Sequence, residues 1–170
     1  MFGVTLRRVF RCWLLRKHRW VRRQARGDEE YFCAGDADAL LLARRARALV
    51  ATARELSTLR QASVELDALV SSGKDEAERY QTGQLDPEPR LVVTTSGALG
   101  GWAQPGGPYK AAPLPREPAD AYGAGDCFAA GLAFALGAGL EGLAALDFAA
   151  RCGAGAMAGP GVHAEVVSLA

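Results

Sequence analysis

The sequence predicts a layered α/β domain with a mostly parallel sheet and a β-hairpin at the sheet edge. Three features carry that prediction. Apolar runs of five or six residues alternate with helical stretches between residues 29 and 95. The runs are nearly continuous in Val, Leu and Ala, the composition of strands covered on both faces. The segment 97–118 then fills with Gly and Pro before two Ala-rich stretches of helical length. At 170 residues, 49% hydrophobic and 23% charged, the chain can bury one core and is too short for two of ordinary size.

Glu30 to Ala34 (EYFCA) reads as the first strand. Asp36 stands where an N-cap belongs, ahead of a helix from Ala37 to Arg45 that offers Leu40, Leu41 and Leu42 for burial. Ala48 to Thr52 (ALVAT) is a second strand, Glu55 to Ala62 a helix, and Leu66 to Ser71 a third strand. Asp75 to Gln81 is expected to be helical and Leu91 to Thr95 (LVVTT) to be a fourth strand. Strand, helix, strand succession requires parallel pairing with right-handed crossovers. Gly101 to Gln104 and Tyr109 to Pro113 flank the turn Pro105-Gly106-Gly107-Pro108 and form the hairpin, with Trp102 and Tyr109 packing inside it. Helices are expected over Asp126 to Leu136 and Glu141 to Gly153, and a last strand over Glu165 to Leu169.

The net charge of +1 hides an asymmetry. Residues 1–26 hold eight Arg and one Lys without an acid, which leaves 11 basic against 19 acidic residues over 27–170. An acidic body repels the phosphate backbone, so nucleic acid is not an expected partner of the domain. The chain divides into a basic extension, 1–28, and the α/β domain, 29–170. For the extension three readings stand side by side: an arm for nucleic acid or anionic lipid, an organelle-targeting peptide, or a segment without selected function. Cys12, Cys33, Cys127 and Cys152 lie far apart with no C-x-x-C spacing, which disfavours a zinc site and a secreted disulfide framework and fits a reducing cytoplasm. The apolar run Cys127 to Leu140 is shorter than the ~20 residues that span a bilayer, so no membrane partner is expected.

The stretch Asp120-Ala121-Tyr122-Gly123-Ala124-Gly125-Asp126 opens an apolar helix directly after an irregular segment. Free N–H groups at such a helix start, approached closely where no side chain intervenes, make an anion hole. A carboxylate beside it can take the proton of a hydroxyl that attacks a bound phosphoryl group. The competing reading is a glycine turn with Asp126 as an ordinary N-cap. Other motifs are weaker. Gly137-Ala138-Gly139-Leu140-Glu141-Gly142 spells G-x-G-x-x-G but leaves a helix where a dinucleotide fingerprint must leave a strand, and reads as an interhelical turn. His18 and His163 have no triad-like or metal-like neighbours.

DAYGAGDCFAAGLAFAL resembles the signature of the ribokinase/PfkB family of carbohydrate kinases, D-T-x-G-A-G-D-x-F-x-x-G, at Asp120, Gly123, Ala124, Gly125, Asp126, Phe128 and Gly131. Upstream, Thr95, Gly97 and Gly100 are similar to the family's T-x-G-x-x-G nucleotide segment, and Phe148 to Ala154 resembles the helix that helps enclose adenine. The resemblance implies a ribokinase-like fold, Asp126 as catalytic base, and the amides of Gly123, Ala124 and Gly125 as anion hole. It implies a nucleotide site at Thr95, Gly97 and Gly100, and a monovalent cation such as K⁺ near Asp120. The substrates it implies are ATP with Mg²⁺ and a small sugar or nucleoside. Ala121 stands where the family has Thr, and Ser72-Gly73-Lys74-Asp75 is the nearest counterpart of the metal-organising N-x-x-E element, with Asp75 and Glu78 as candidate metal ligands. The resemblance covers about Tyr31 to Ala164, the C-terminal half of a typical member, and nothing in residues 1–30 resembles the sugar-binding half or its lid. The expected protein is therefore a family kinase truncated at the N-terminus, impaired in activity and prone to form a homodimer through surface the missing half covers. The alternative is a non-catalytic nucleotide-binding or interaction module.

Overall fold

The computed structural model of the chain describes residues 29–158. Its strands are β1 (Glu29–Phe32), β2 (Ala48–Thr52), β3 (Ala68–Ser72), β4 (Val92–Thr95), β5 (Gly101–Gln104) and β6 (Gly107–Tyr109), and its helices α1 (Ala37–Ala43), α2 (Leu56–Ala62), α3 (Ala124–Gly137) and α4 (Gly142–Ala156). The six strands form one sheet in sequence order. β1 to β4 run parallel, and β5 and β6 return antiparallel as the hairpin.

Helices cover both faces of the parallel part, which is why its strands are apolar throughout: every residue of β2 is buried. Alternation then assigns the faces. Leu49 and Ala51 pack with Leu40 of α1 and Leu59 of α2, whereas Val50 packs with Val93, Ala129 and Leu132 beneath α3 and α4. α1 is capped by the Asp36 side chain, which accepts from the Ala39 amide at 2.8 Å. α2 ends at Ser63, whose φ of 48° places it in the left-handed region. Arg44 at the end of α1 donates to Asp67 at 2.7 Å, and the same carboxylate oxygen accepts from the Leu49 amide at 2.8 Å, tying the helix to the starts of two strands. No helix of the described residues is long and apolar enough to cross a membrane.

The structure corrects four expectations. Asp75 to Gln81 is not a helix: only a 3-10 turn forms, Glu76–Glu78, capped by Asp75. The segment has no apolar stripe to bury, and its continuation is pinned instead by Glu88, which accepts from the Tyr80 hydroxyl at 2.6 Å. In α1 Leu40 is buried but Leu41 is exposed, because a two-turn helix on a sheet buries one face only. The second hairpin strand is Gly107–Tyr109 rather than Tyr109 to Pro113, since Pro105 and Gly106 (φ 132°) alone take the turn, pairing resumes at Ala103–Gly107 and register continues only to the Gly101–Tyr109 pair. Tyr109 is buried, but Trp102 is 56% exposed, as alternation sends it to the uncovered face of the edge. The extension 1–28, with His18, and the expected strand Glu165 to Leu169, with His163, lie outside the described residues.

Candidate active site

Parallel strands all end on the same side of the sheet, and open α/β sheets bind ligands outside those carboxyl ends. Five segments converge there: the last residues of β1, the 3-10 turn after β2 (Ala53–Glu55), the turn after β3, the turn after β4, and the start of α3.

Gly123 caps α3 with φ 80°, a conformation that costs a side-chain-bearing residue, and supplies no capping side chain. The first intrahelical bond runs from the Cys127 amide to the Gly123 carbonyl at 2.9 Å, so the preceding amides have no acceptor within the helix. Ala124 turns back to the Ala121 carbonyl at 3.3 Å. A Cβ added at Gly125 would meet nothing within 4 Å among the described residues, which leave open space over the helix start on that side. Asp126 occupies the third position of the first turn and is not the N-cap.

The Asp126 carboxylate accepts a hydrogen bond from the Tyr31 hydroxyl at 2.8 Å, across 95 residues of sequence. Tyr31 stands next to the end of β1 and packs against the α3 side of the core. Burial first, then the charge of Asp126 and the hydrogen bond to it, push the Tyr31 phenol well above its ordinary value, so it remains a donor. Arg54, in the turn after β2, lies within electrostatic reach of both groups. Its guanidinium donates through Nε at 2.9 Å to Glu78, whose Oε1 it also contacts through Nη2. Neither Tyr31 nor Arg54 belongs to a sequence motif. The only signal for Tyr31 was strand alternation, which puts it opposite Phe32 and beside its register partner Val50.

Thr95 ends β4 and donates through Oγ1 to the Ser71 carbonyl at 3.2 Å. Gly97 (φ 63°) and Gly100 (φ 83°) bracket the following 3-10 turn, Gly97–Leu99, and the Ser96 amide closes it on the Gly100 carbonyl at 2.8 Å. At Gly100 a Cβ would stand 2.1 Å from the Tyr109 carbonyl, so the turn and the hairpin approach backbone to backbone. The β3 turn joins this loop through Gly73, whose amide donates to the Thr95 carbonyl at 2.9 Å, and the Lys74 ammonium lies beside Gly97.

The remaining candidates fall elsewhere in this geometry. Asp75 spends Oδ1 on the Ala77 amide at 2.9 Å. Glu78 is engaged by Arg54, and among the described residues no group of three or more His, Cys, Asp and Glu could hold a metal ion. Asp120 is exposed and accepts from the Tyr122 amide at 2.9 Å, an Asx turn ahead of α3. The G-x-G-x-x-G of 137–142 is the turn between α3 and α4. α4 leans on the site: a Cβ at Gly153 would stand 3.2 Å from the Ala124 carbonyl.

Known structures share this fold. An adenosine kinase from Sinorhizobium meliloti matches at 17% identity and a TM-score of 0.61, over 81% of this chain and 51% of that one. A Burkholderia thailandensis nucleoside kinase in complex with inosine matches at 17% identity and 0.60, over 79% and 52%. A probable sugar kinase from Rhizobium etli matches at 18% and 0.57, over 74% and 44%. The chain thus spans about half the length of these proteins, whose fold is the ribokinase-like α/β fold. No curated protein sequence matches the chain. The model of the pfkB family carbohydrate kinases matches residues 32–166, from β1 to beyond α4, and the chain belongs to that family.

Proposed function

We propose that this chain is the nucleotide-binding, base-bearing part of a kinase that transfers the γ-phosphoryl group of ATP to a hydroxyl of a sugar or nucleoside. The observation that carries the reading is Asp126 in the first turn of a helix whose start has no capping side chain and faces open space at Gly125. In this reaction the substrate hydroxyl oxygen bonds to the γ-phosphorus, the bridging oxygen of ADP leaves, and Asp126 takes the hydroxyl proton. The amides of Gly123 and Gly125, and that of Ala124 in place of its long 3.3 Å bond to the Ala121 carbonyl, with the positive end of the α3 dipole, stabilise charge on the transferred phosphoryl oxygens. Thr95, Gly97 and Gly100 line the nucleotide, their glycines letting the backbone come close.

One or two protein carboxylates with water would suffice to hold Mg²⁺, which when bound would neutralise phosphate charge. Asp75, exposed and with only Oδ1 engaged among the described residues, fits that role better than Glu78, whose charge Arg54 answers. A monovalent cation such as K⁺ at the Asp120 turn, a cytoplasmic location and a homodimer complete the proposal.

The test is ADP release from Mg·ATP by the full chain against a panel of adenosine, inosine and ribose, with Asp126→Asn beside it. The reading expects acceptor-dependent ADP release that Asp126→Asn lowers at least ~10²-fold, the usual effect of losing a general base, while Mg·ATP affinity stays within a few-fold. Mg·ATP binding without ADP release would favour a non-catalytic nucleotide-binding module. Full turnover in Asp126→Asn would leave Asp126 as a helix residue only.

A further inference from the structure

We infer that Tyr31 is a positioning residue for Asp126: it holds one carboxylate oxygen so that the other is presented to the acceptor hydroxyl, an inference that rests on the kinase reading above. An aspartate in the first turn of a helix has a competing option, which is to fold back onto the free amides of its own helix. Those amides are the ones needed for the phosphoryl group. In this structure the N-cap of α3, Gly123, makes no side-chain cap, and Asp126 Oδ1 instead accepts from the Tyr31 hydroxyl, on a different element, at 2.8 Å. The hydrogen bond therefore does two things. It keeps the carboxylate off the anion hole, and it fixes its rotation.

Tyr31 is suited to this because it is itself immobile. β1 is registered on β2 with Tyr31 opposite Val50, a residue with no exposed surface, and the Tyr31 ring packs on the core that α3 and α4 cover. A rigid donor on a strand is a better reference point than a side chain on a loop. The phenol keeps its proton, since burial and Asp126 both oppose its ionisation; Arg54 alone among the charged neighbours favours it. A donor that stays protonated cannot compete with Asp126 for the substrate proton.

Tyr31→Phe keeps the ring and removes only the hydroxyl. The expected result is a turnover about 10- to 10²-fold lower, with KM for Mg·ATP within twofold, because misplaced groups cost rate and leave the nucleotide contacts untouched. In an Asp126→Asn background the same substitution should have no further effect on turnover, as residues acting through one another are not additive. Wild-type turnover in Tyr31→Phe, or an equal loss in both backgrounds, overturns the inference while the kinase reading stands. A wild-type chain silent toward every acceptor overturns the kinase reading, and the positioning role with it. A double-substitution cycle on Tm then shows separately whether the two side chains are coupled in the fold.

Discussion

The ring of Tyr109, the last residue of the hairpin, stacks on the ring of Phe128 in the second turn of α3, with centroids 5.8 Å apart and planes at 28°. Phe128 follows Asp126 by two positions, so this contact docks the sheet edge against the helix that carries the candidate base. Among the described residues the Tyr109 hydroxyl is buried without a hydrogen-bond partner, beside Gly101. An unsatisfied buried polar group costs free energy that its removal returns. Tyr109→Phe should therefore leave stability unchanged or raised, whereas Tyr109→Ala should lower it by about 3 kcal/mol or more through cavity formation. Urea unfolding of both variants measures the contrast. A clear loss in Tyr109→Phe would mean that the hydroxyl has found a partner.

Two glycines of α3 should respond in opposite ways to the same added methyl. At Gly131 a Cβ would stand 2.7 Å from Cys152 Sγ and 2.8 Å from its Cβ, at the crossing of α3 and α4. Gly131→Ala should cost about 1–3 kcal/mol by overpacking. Gly125→Ala enters open space and should be neutral or stabilising by up to about 1 kcal/mol, since glycine is a poor helix residue. A larger side chain such as Gly125→Leu should keep the fold and weaken Mg·ATP binding at least tenfold, as read by isothermal titration; unchanged binding would remove the phosphoryl group from that space.

Stability should fall as pH rises from about 4.5 to about 7, because of Glu30. Burial, and after it the neighbouring charge of Glu29, raise the Glu30 carboxyl from 4.5 to about 7. The folded state then holds a proton that the unfolded chain has released, so the stabilising contribution is complete below about pH 4.5 and lost as pH rises towards 7. Glu30→Gln should raise Tm by several degrees at pH 8 and leave it nearly unchanged at pH 4. Equal shifts at both values would assign the effect to something other than ionisation.

Cys127 and Cys152 should resist alkylation. Burial is the main cause that raises both thiols from 9 to about 12, so little thiolate exists at pH 8. In native protein treated with iodoacetamide at that pH, mass spectrometry should find both unmodified and find both labelled once the protein is unfolded. Native labelling of either would show that α3 and α4 separate.

The layering was legible in the residue pattern because burial on two faces leaves strands such as ALVAT apolar at every position, and because turns demand Gly and Pro. Asp75 to Gln81 misled because its acidic residues look like a capped helix start, while a helix on this sheet needs an apolar stripe that the segment lacks. The anion-hole glycines and Asp126 were legible because a motif of neighbours in sequence describes one local object, a helix start. By itself, then, the sequence determined the alternation of elements, the family signature and the candidate base. Only the tertiary structure decided what stands against that base. Tyr31 is 95 residues from Asp126 and Arg54 is 24 from Glu78, and neither carries a local pattern. Their meeting depends on parallel strands ending on one side of a sheet and on a helix laid across them. That geometry belongs to the packed core and to no stretch of the chain.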